Sequence, residues 1–231
     1  MKPSEFLSGI IYFFNDLIGS VVPGLIMLAG LYVLKIFPPH LTAEFSKLEQ
    51  GIEWTITIVI AYVLGHGLLS LHLLLQPYLC PVFNSINTLI KKKEWTELGA
   101  WKKRTDYIKQ KVPYQEFERI VNERAEGETQ NYDFNSLRNM AMTISNEAGE
   151  LARRFMFISL LCYGVSMSIL AISLITLMSD ICTMRFVPAF FLFFIFYTKG
   201  IDFEIRAQNV PFPIALAEII SDKVKSRKED E

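Results

Sequence analysis

The stretch WTITIVIAYVLGHGLLSLHLLLQ, residues 54–76, runs for 23 positions without an Asp, Glu, Lys or Arg. About 20 apolar residues suffice to carry a helix across a bilayer, so this run reads as a membrane span, stopped by Pro77. Upstream, Phe6 to Phe37 is apolar over 32 residues, interrupted mainly by Asn15, Asp16, Pro23 and, near its end, Lys35. That exceeds one crossing. The expectation is an interfacial helix from Phe6 to Ile18, where Asp16 stays hydrated, leading into a span over residues 17–36 kinked at Pro23-Gly24. The length of the run and the lack of a small-x-small cleavage site argue against a signal peptide. Downstream, residues 155–178 form a third run behind Arg153-Arg154. A fourth run, 181–198, holds Arg185 near its start and five Phe between Phe190 and Phe196.

The rest of the composition agrees with lipid solvation. The chain of 231 residues is 51% hydrophobic and 20% charged, with 18 Phe and a mean hydropathy of +0.29. Its 23 basic and 24 acidic residues nearly cancel, which argues against nucleic acid as a partner, since phosphate binding draws on a basic excess. Cys80, Cys162 and Cys182 are an odd number at unrelated spacings, so neither a disulfide framework nor a Cys-rich metal site is expected. No nucleotide-binding glycine loop, zinc-protease motif or Cys-x-x-Cys occurs. No cofactor and no metal follow from the sequence.

Basic residues set the direction of threading, because Lys and Arg stay on the side of synthesis. The segment between spans two and three holds 13 of the 23, and the tail from Lys199 onward holds six. Four crossings put both regions and both chain ends in the cytoplasm. The expected fold is therefore an all-α integral membrane protein with four transmembrane helices and a helical cytoplasmic segment between spans two and three. It divides as residues 1–80, an interfacial helix and transmembrane hairpin; 81–153, the cytoplasmic segment; 154–200, a second hairpin; and 201–231, a tail with a short helix and a disordered charged end.

Within the cytoplasmic segment, periodicity predicts a helix from Ser85 to Lys111, a second from Tyr114 to Ala125, and a third capped by Asp133 that continues past Arg153 into span three as one long helix. Pro211 and Pro213 are expected to interrupt the tail before a helix over Ile214 to Val224, which would pack on the central segment or on a neighbouring subunit. Charge is segregated: residues 91–111 hold eight basic and three acidic side chains, residues 112–152 three basic and eight acidic. The clusters Lys91-Lys92-Lys93 and Lys102-Lys103-Arg104, with Trp95 and Trp101, and the pair Arg153-Arg154 are candidate contacts for anionic lipid headgroups.

Ionisable groups at membrane depth are functional candidates by default. Asp16, Tyr62, His66, His72, Tyr163 and Ser166 form the candidate intramembrane polar site. His66 lies near the middle of span two between Gly65 and Gly67. His72 is six residues on and about 120° around the helix, poorly placed to share a metal with it. An Asp16 to His72 contact is sterically open if spans one and two are neighbours. Two stripes, Asp16, Gly19, Pro23 and Gly30 on span one and Ser159, Tyr163, Ser166 and Ser173 on span three, should face inward, where small residues permit close helix packing and hydroxyls bridge helices.

Val22-Pro23-Gly24-Leu25 and Ala61-Tyr62-Val63-Leu64-Gly65-His66 together resemble a pattern in small, uncharacterised four-span inner-membrane proteins of bacteria. The resemblance covers about 80 N-terminal residues and implies a bacterial inner-membrane location with no assigned reaction. The layout is also similar to that of membrane effectors or accessory subunits of defence systems. The leading expectation is a non-catalytic, self-associating protein, a homo-oligomer in the lipid bilayer with a cytoplasmic protein partner, that alters permeability. The alternative is a small transporter or intramembrane enzyme using His66 as proton acceptor.

Overall fold

The computed structural model describes residues 3–45, 47–89, 101–124, 132–178 and 186–229. Among them every regular element is a helix: α1 Pro3–Val33, α2 Pro39–Phe45, α3 Gln50–Leu89, α4 Trp101–Lys109, α5 Val112–Arg124, α6 Phe134–Ile144, α7 Asn146–Met178, α8 Phe186–Asn209 and α9 Pro211–Glu229. Three described helical stretches are long and apolar enough to cross a bilayer: Phe14–Val33, Gln50–Leu79 and Asn146–Met178. The expected fourth span opens on residues 181–185, which lie outside the described set, and α8 takes up the chain at Phe186.

The chain forms two compact units. The first comprises Met1–Leu75 and Phe157–Asp202, the second Gln76–Met156 and Phe203–Glu231.

In the first unit, α1 is one unbroken helix with Pro23 inside it. It ends at Val33 because Lys35 takes a left-handed conformation, φ 53°. The Ile36 amide then donates to the Leu31 carbonyl and the Lys35 amide to the Tyr32 carbonyl, a Schellman closure with lysine where glycine is usual. The short helix α2 carries His40, exposed. Contacts fix the directions of the remaining helices. Gly24 meets Ala61 and Ser20 meets Gly65, so α1 and α3 run antiparallel; Pro23 meets Gly164 and Gly30 meets Ile172, so α1 and α7 run parallel. Ser159 reaches Gly200, and Tyr163 lies against both Gly200 and Tyr197, so α8 returns antiparallel to α7.

In the second unit, a core of Ile108, Tyr114, Phe117, Ile120, Phe134, Leu137, Ala141, Phe212, Ala215 and Ile219 joins α4, α5, α6 and α9. Phe212 is fully buried, with ring centroids 4.9 Å from Tyr114, 5.8 Å from Phe117 and 5.7 Å from Phe134. The tail thus packs on the central segment. Burial pushes the Tyr114 hydroxyl up to about 12, and the neighbouring Glu118 and Asp133 carboxylates add to the shift.

Several boundaries depart from expectation. Pro77 does not stop the second span, since α3 continues through Pro77 and Pro81 to Leu89. A proline removes one ladder bond and crowds the carbonyl four residues back, a local defect that the flanking turns of a 40-residue helix carry. Ser85 is accordingly interior to α3 and not a helix start; residues 90–100 of the expected 85–111 helix lie outside the described set. The cap at Asp133 is present, its carboxylate accepting from the Ser136 amide at 2.9 Å. The long helix expected from there is broken at Ser145, which is extended at φ −123° and ψ 116°. The serine closes α6 with its own amide on the Ala141 carbonyl, while its Oγ accepts the Ala148 amide of α7 at 3.4 Å. The fourth apolar run ends at Lys199, but its helix does not, because α8 continues through Asp202, Glu204 and Arg206 to Asn209. Pro211 then opens α9 instead of interrupting the tail, as suits a residue with no amide hydrogen at a first helical position.

Candidate functional site

Small residues let backbones meet where helices cross, and the two motifs quoted above meet in this way. A Cβ on Gly24 would land on the Ala61 carbonyl, and one on Gly65 on the Ser20 carbonyl. On the other flank of α1, a Cβ on Gly164 would come within 2.5 Å of the Pro23 ring. Ser168 Oγ donates to the Pro23 carbonyl at 2.8 Å, and the Gly164 carbonyl lies 2.9 Å from the same oxygen. Three helices are therefore held at one level by glycine contacts and a buried hydroxyl. Gly19, Pro23 and Gly30 of the expected stripe all face α7, through Phe157, Gly164 and Ile172.

His66 sits beside this crossing. Its Nε2 is 3.3 Å from Ser20 Oγ, and its ring stands edge-on to Tyr62 at 4.4 Å and 82°. Which atom donates depends on the imidazole tautomer. A serine and a histidine in contact are two members of a nucleophile and base arrangement; Ser20 is 1% exposed, and its backbone carbonyl lies against Gly65.

His72 belongs to a different face of α3. It is 3% exposed and stacks on Tyr163 at 4.0 Å with planes 16° apart, while Tyr197 of α8 stands edge-on at 5.5 Å. Tyr163 and Tyr197 touch at 5.3 Å, and Phe193 extends the cluster from Tyr197 at 5.6 Å. The Asp16 to His72 contact that spans one and two left open is not formed. Asp16 is exposed on α1, whereas His72 is turned toward α7 and α8. Ser166 is fully buried, but its hydroxyl donates at 2.7 Å to the Tyr163 carbonyl of its own helix.

The site residues thus separate into Tyr62 and His66 with Ser20, and His72 and Tyr163 with Tyr197; Ser166 touches the second through the Tyr163 backbone, and Asp16 is exposed on α1. Ser159, donating to the Gly200 carbonyl at 2.8 Å, and Ser168 bridge helices with their hydroxyls. Sequence reasoning missed Ser20, Ser168 and Tyr197. The first lies four residues before Gly24, the second four after Gly164, and that spacing on a small-residue face was the available signal. No group of three or more His, Cys, Asp or Glu able to hold a metal occurs among the described residues.

Of the candidate lipid contacts, Arg153 and Arg154 are exposed on α7. Lys102, Lys103 and Arg104 fall in the first turn of α4 with side chains outside the described set, and Lys91, Lys92 and Lys93 lie outside it altogether. In the second unit, Arg138 is partly buried. Its guanidinium donates to the Ala207 carbonyl in the last turn of α8 at 3.4 Å, and burial pushes its proton affinity down. A cation at a helix C-terminus complements the helix dipole, which accounts for Arg138 structurally. Compared with known protein families, curated proteins and solved structures, the chain matches none.

Proposed function

We propose that this chain is a non-catalytic, self-associating membrane protein of the bacterial inner membrane, whose helical bundle changes permeability when a cytoplasmic partner engages the second unit. The observation that carries this reading is the division into two units of different construction. One is an apolar bundle whose polar side chains tie helices together, and the other has an aromatic core of its own. A protein built to relay a signal to a bilayer needs a body outside it and an assembly within it.

Four spans and cytoplasmic chain ends complete the proposal. The antiparallel return of α8 along α7 supports a fourth crossing, and the 13 basic residues between spans two and three support the direction. Protease access to tags at both ends and within residues 81–153 tests the threading, and cleavage of the central tag from outside the cell would reverse it. Dye leakage and conductance on induction test the function. With insertion verified, unchanged permeability refutes the effector reading.

The Ser20–His66 contact favours a second reading, a small transporter or intramembrane enzyme with His66 as proton acceptor. His66→Gln and His66→Asn separate the two. A proton acceptor loses activity in both, whereas a packing residue changes stability and leaves the permeability response in place.

A further inference from the structure

Where the second unit meets the apolar length of α7 in sequence, it carries two stacked rings and three exposed guanidinium groups. Phe155 of α7 and Phe203 of α8 stack with centroids 6.0 Å apart and planes 25° from parallel, both half-buried. Arg206, nearly one turn beyond Phe203, holds its Cζ 5.8 Å over that ring. Arg153 and Arg154 directly precede Phe155. All three arginines are exposed, and Arg154 makes only a loose ion pair with Glu150 at 3.8 Å, the two side chains 72% and 62% exposed. A two-ring apolar platform therefore has one cation over it, from α8, and two more at the one and two positions before Phe155 on α7.

We infer that Arg206, over the Phe155–Phe203 platform, together with Arg153 and Arg154, which precede Phe155 on α7, holds the phosphate of an anionic phospholipid at the start of the α7 span. A guanidinium matches two phosphate oxygens at once, and the phenyl platform suits the glycerol and first methylenes behind the headgroup. A soluble anion has no use for the rings, and a phosphocholine headgroup brings an ammonium that the arginines repel. The bland alternative is three hydrated arginines that only mark the cytoplasmic side. The inference rests on the part of the proposed function that makes α7 a span, and it is independent of permeability.

The test uses the full chain in a nonionic detergent, with phosphatidylglycerol, phosphatidylcholine or inorganic phosphate added. Bound lipid is read by native mass spectrometry and stability by thermal melting. Phosphatidylglycerol is expected to be retained and to raise the melting temperature. Arg154→Gln with Arg206→Gln should weaken retention about thirtyfold, since each basic side chain near a charged surface contributes a factor of roughly five. Lys109→Gln, an exposed change on α4, should leave retention as it was. If the double variant does not fold, Arg206→Gln alone should show about a fivefold loss. Equal retention of phosphatidylcholine, the same melting shift from inorganic phosphate, or a variant that keeps the lipid would each overturn the site. A chain that leaks dye on induction but ignores phosphatidylglycerol overturns this inference alone; one that binds the lipid and leaks nothing overturns only the permeability reading.

Discussion

Gly65 and Gly24 define the residue scale, because each stands where a single carbon would strike a carbonyl of the other helix. Gly65→Ala must push α1 and α3 apart and open the Ser20–His66 contact. Overpacking of this kind costs about 2 kcal/mol or more, which detergent unfolding of the bundle would register; an unchanged midpoint would contradict the crossing. Lys35 shows the opposite case. A lysine held at φ 53° is strained, so Lys35→Gly should stabilise the chain by about 1 kcal/mol in the same assay. Tyr114 gives a pH dependence. Its folded hydroxyl titrates near 12 against an ordinary 10, so between those values the folded state holds the extra proton. Its stabilising contribution is complete below pH 10 and is lost as pH rises toward 12. Tyr114→Phe should flatten that stretch of the melting curve against pH. Gly65 was legible as a close-packing signal in the sequence, and Gly24 only as part of the Pro23-Gly24 kink. Their partners were not, because the residue met across a helix interface depends on where and at what angle two cylinders cross, which no single helix encodes.

At the scale of elements, the apolar runs of α1, α3 and α7 were plain from composition, and their ends were not. Pro77 read as a stop because proline breaks an isolated helix, yet α3 carries both it and Pro81. Ser145 was invisible for the opposite reason. It sits inside an apolar period that continues from Ala141 to Ala148, and only its hydroxyl, competing with the backbone for an amide, divides the run into two helices. Ser145→Ala removes the acceptor of the Ala148 amide. The expected result is faster hydrogen exchange at Ala148 and a loss of about 1 kcal/mol in the second unit; unaltered exchange there would place the break elsewhere. Ile144 and Val112 show the same limit of periodicity. Both match helical spacing, but they are 41% and 68% exposed, since each falls at a helix end where the stripe no longer faces a neighbour.

For the molecule as a whole, the balance of charge and apolar length indicated the membrane but not the pairing of central segment with tail. Nothing in local periodicity says that Phe212 fills the space among Tyr114, Phe117 and Phe134; burial of aromatic surface between distant segments does. This arrangement imposes a schedule on biosynthesis. While ribosomes are still making α7 and α8, the earlier helices of the second unit have no lid over their aromatic rings, and they must wait, greasy side open, for Pro211–Glu229 to emerge. A nonsense codon just before Pro211 should therefore yield a polypeptide that inserts but is cleared by quality-control proteases, whereas one within the charged end after Val224 should be tolerated. Pulse-chase half-lives of the two truncations would tell them apart.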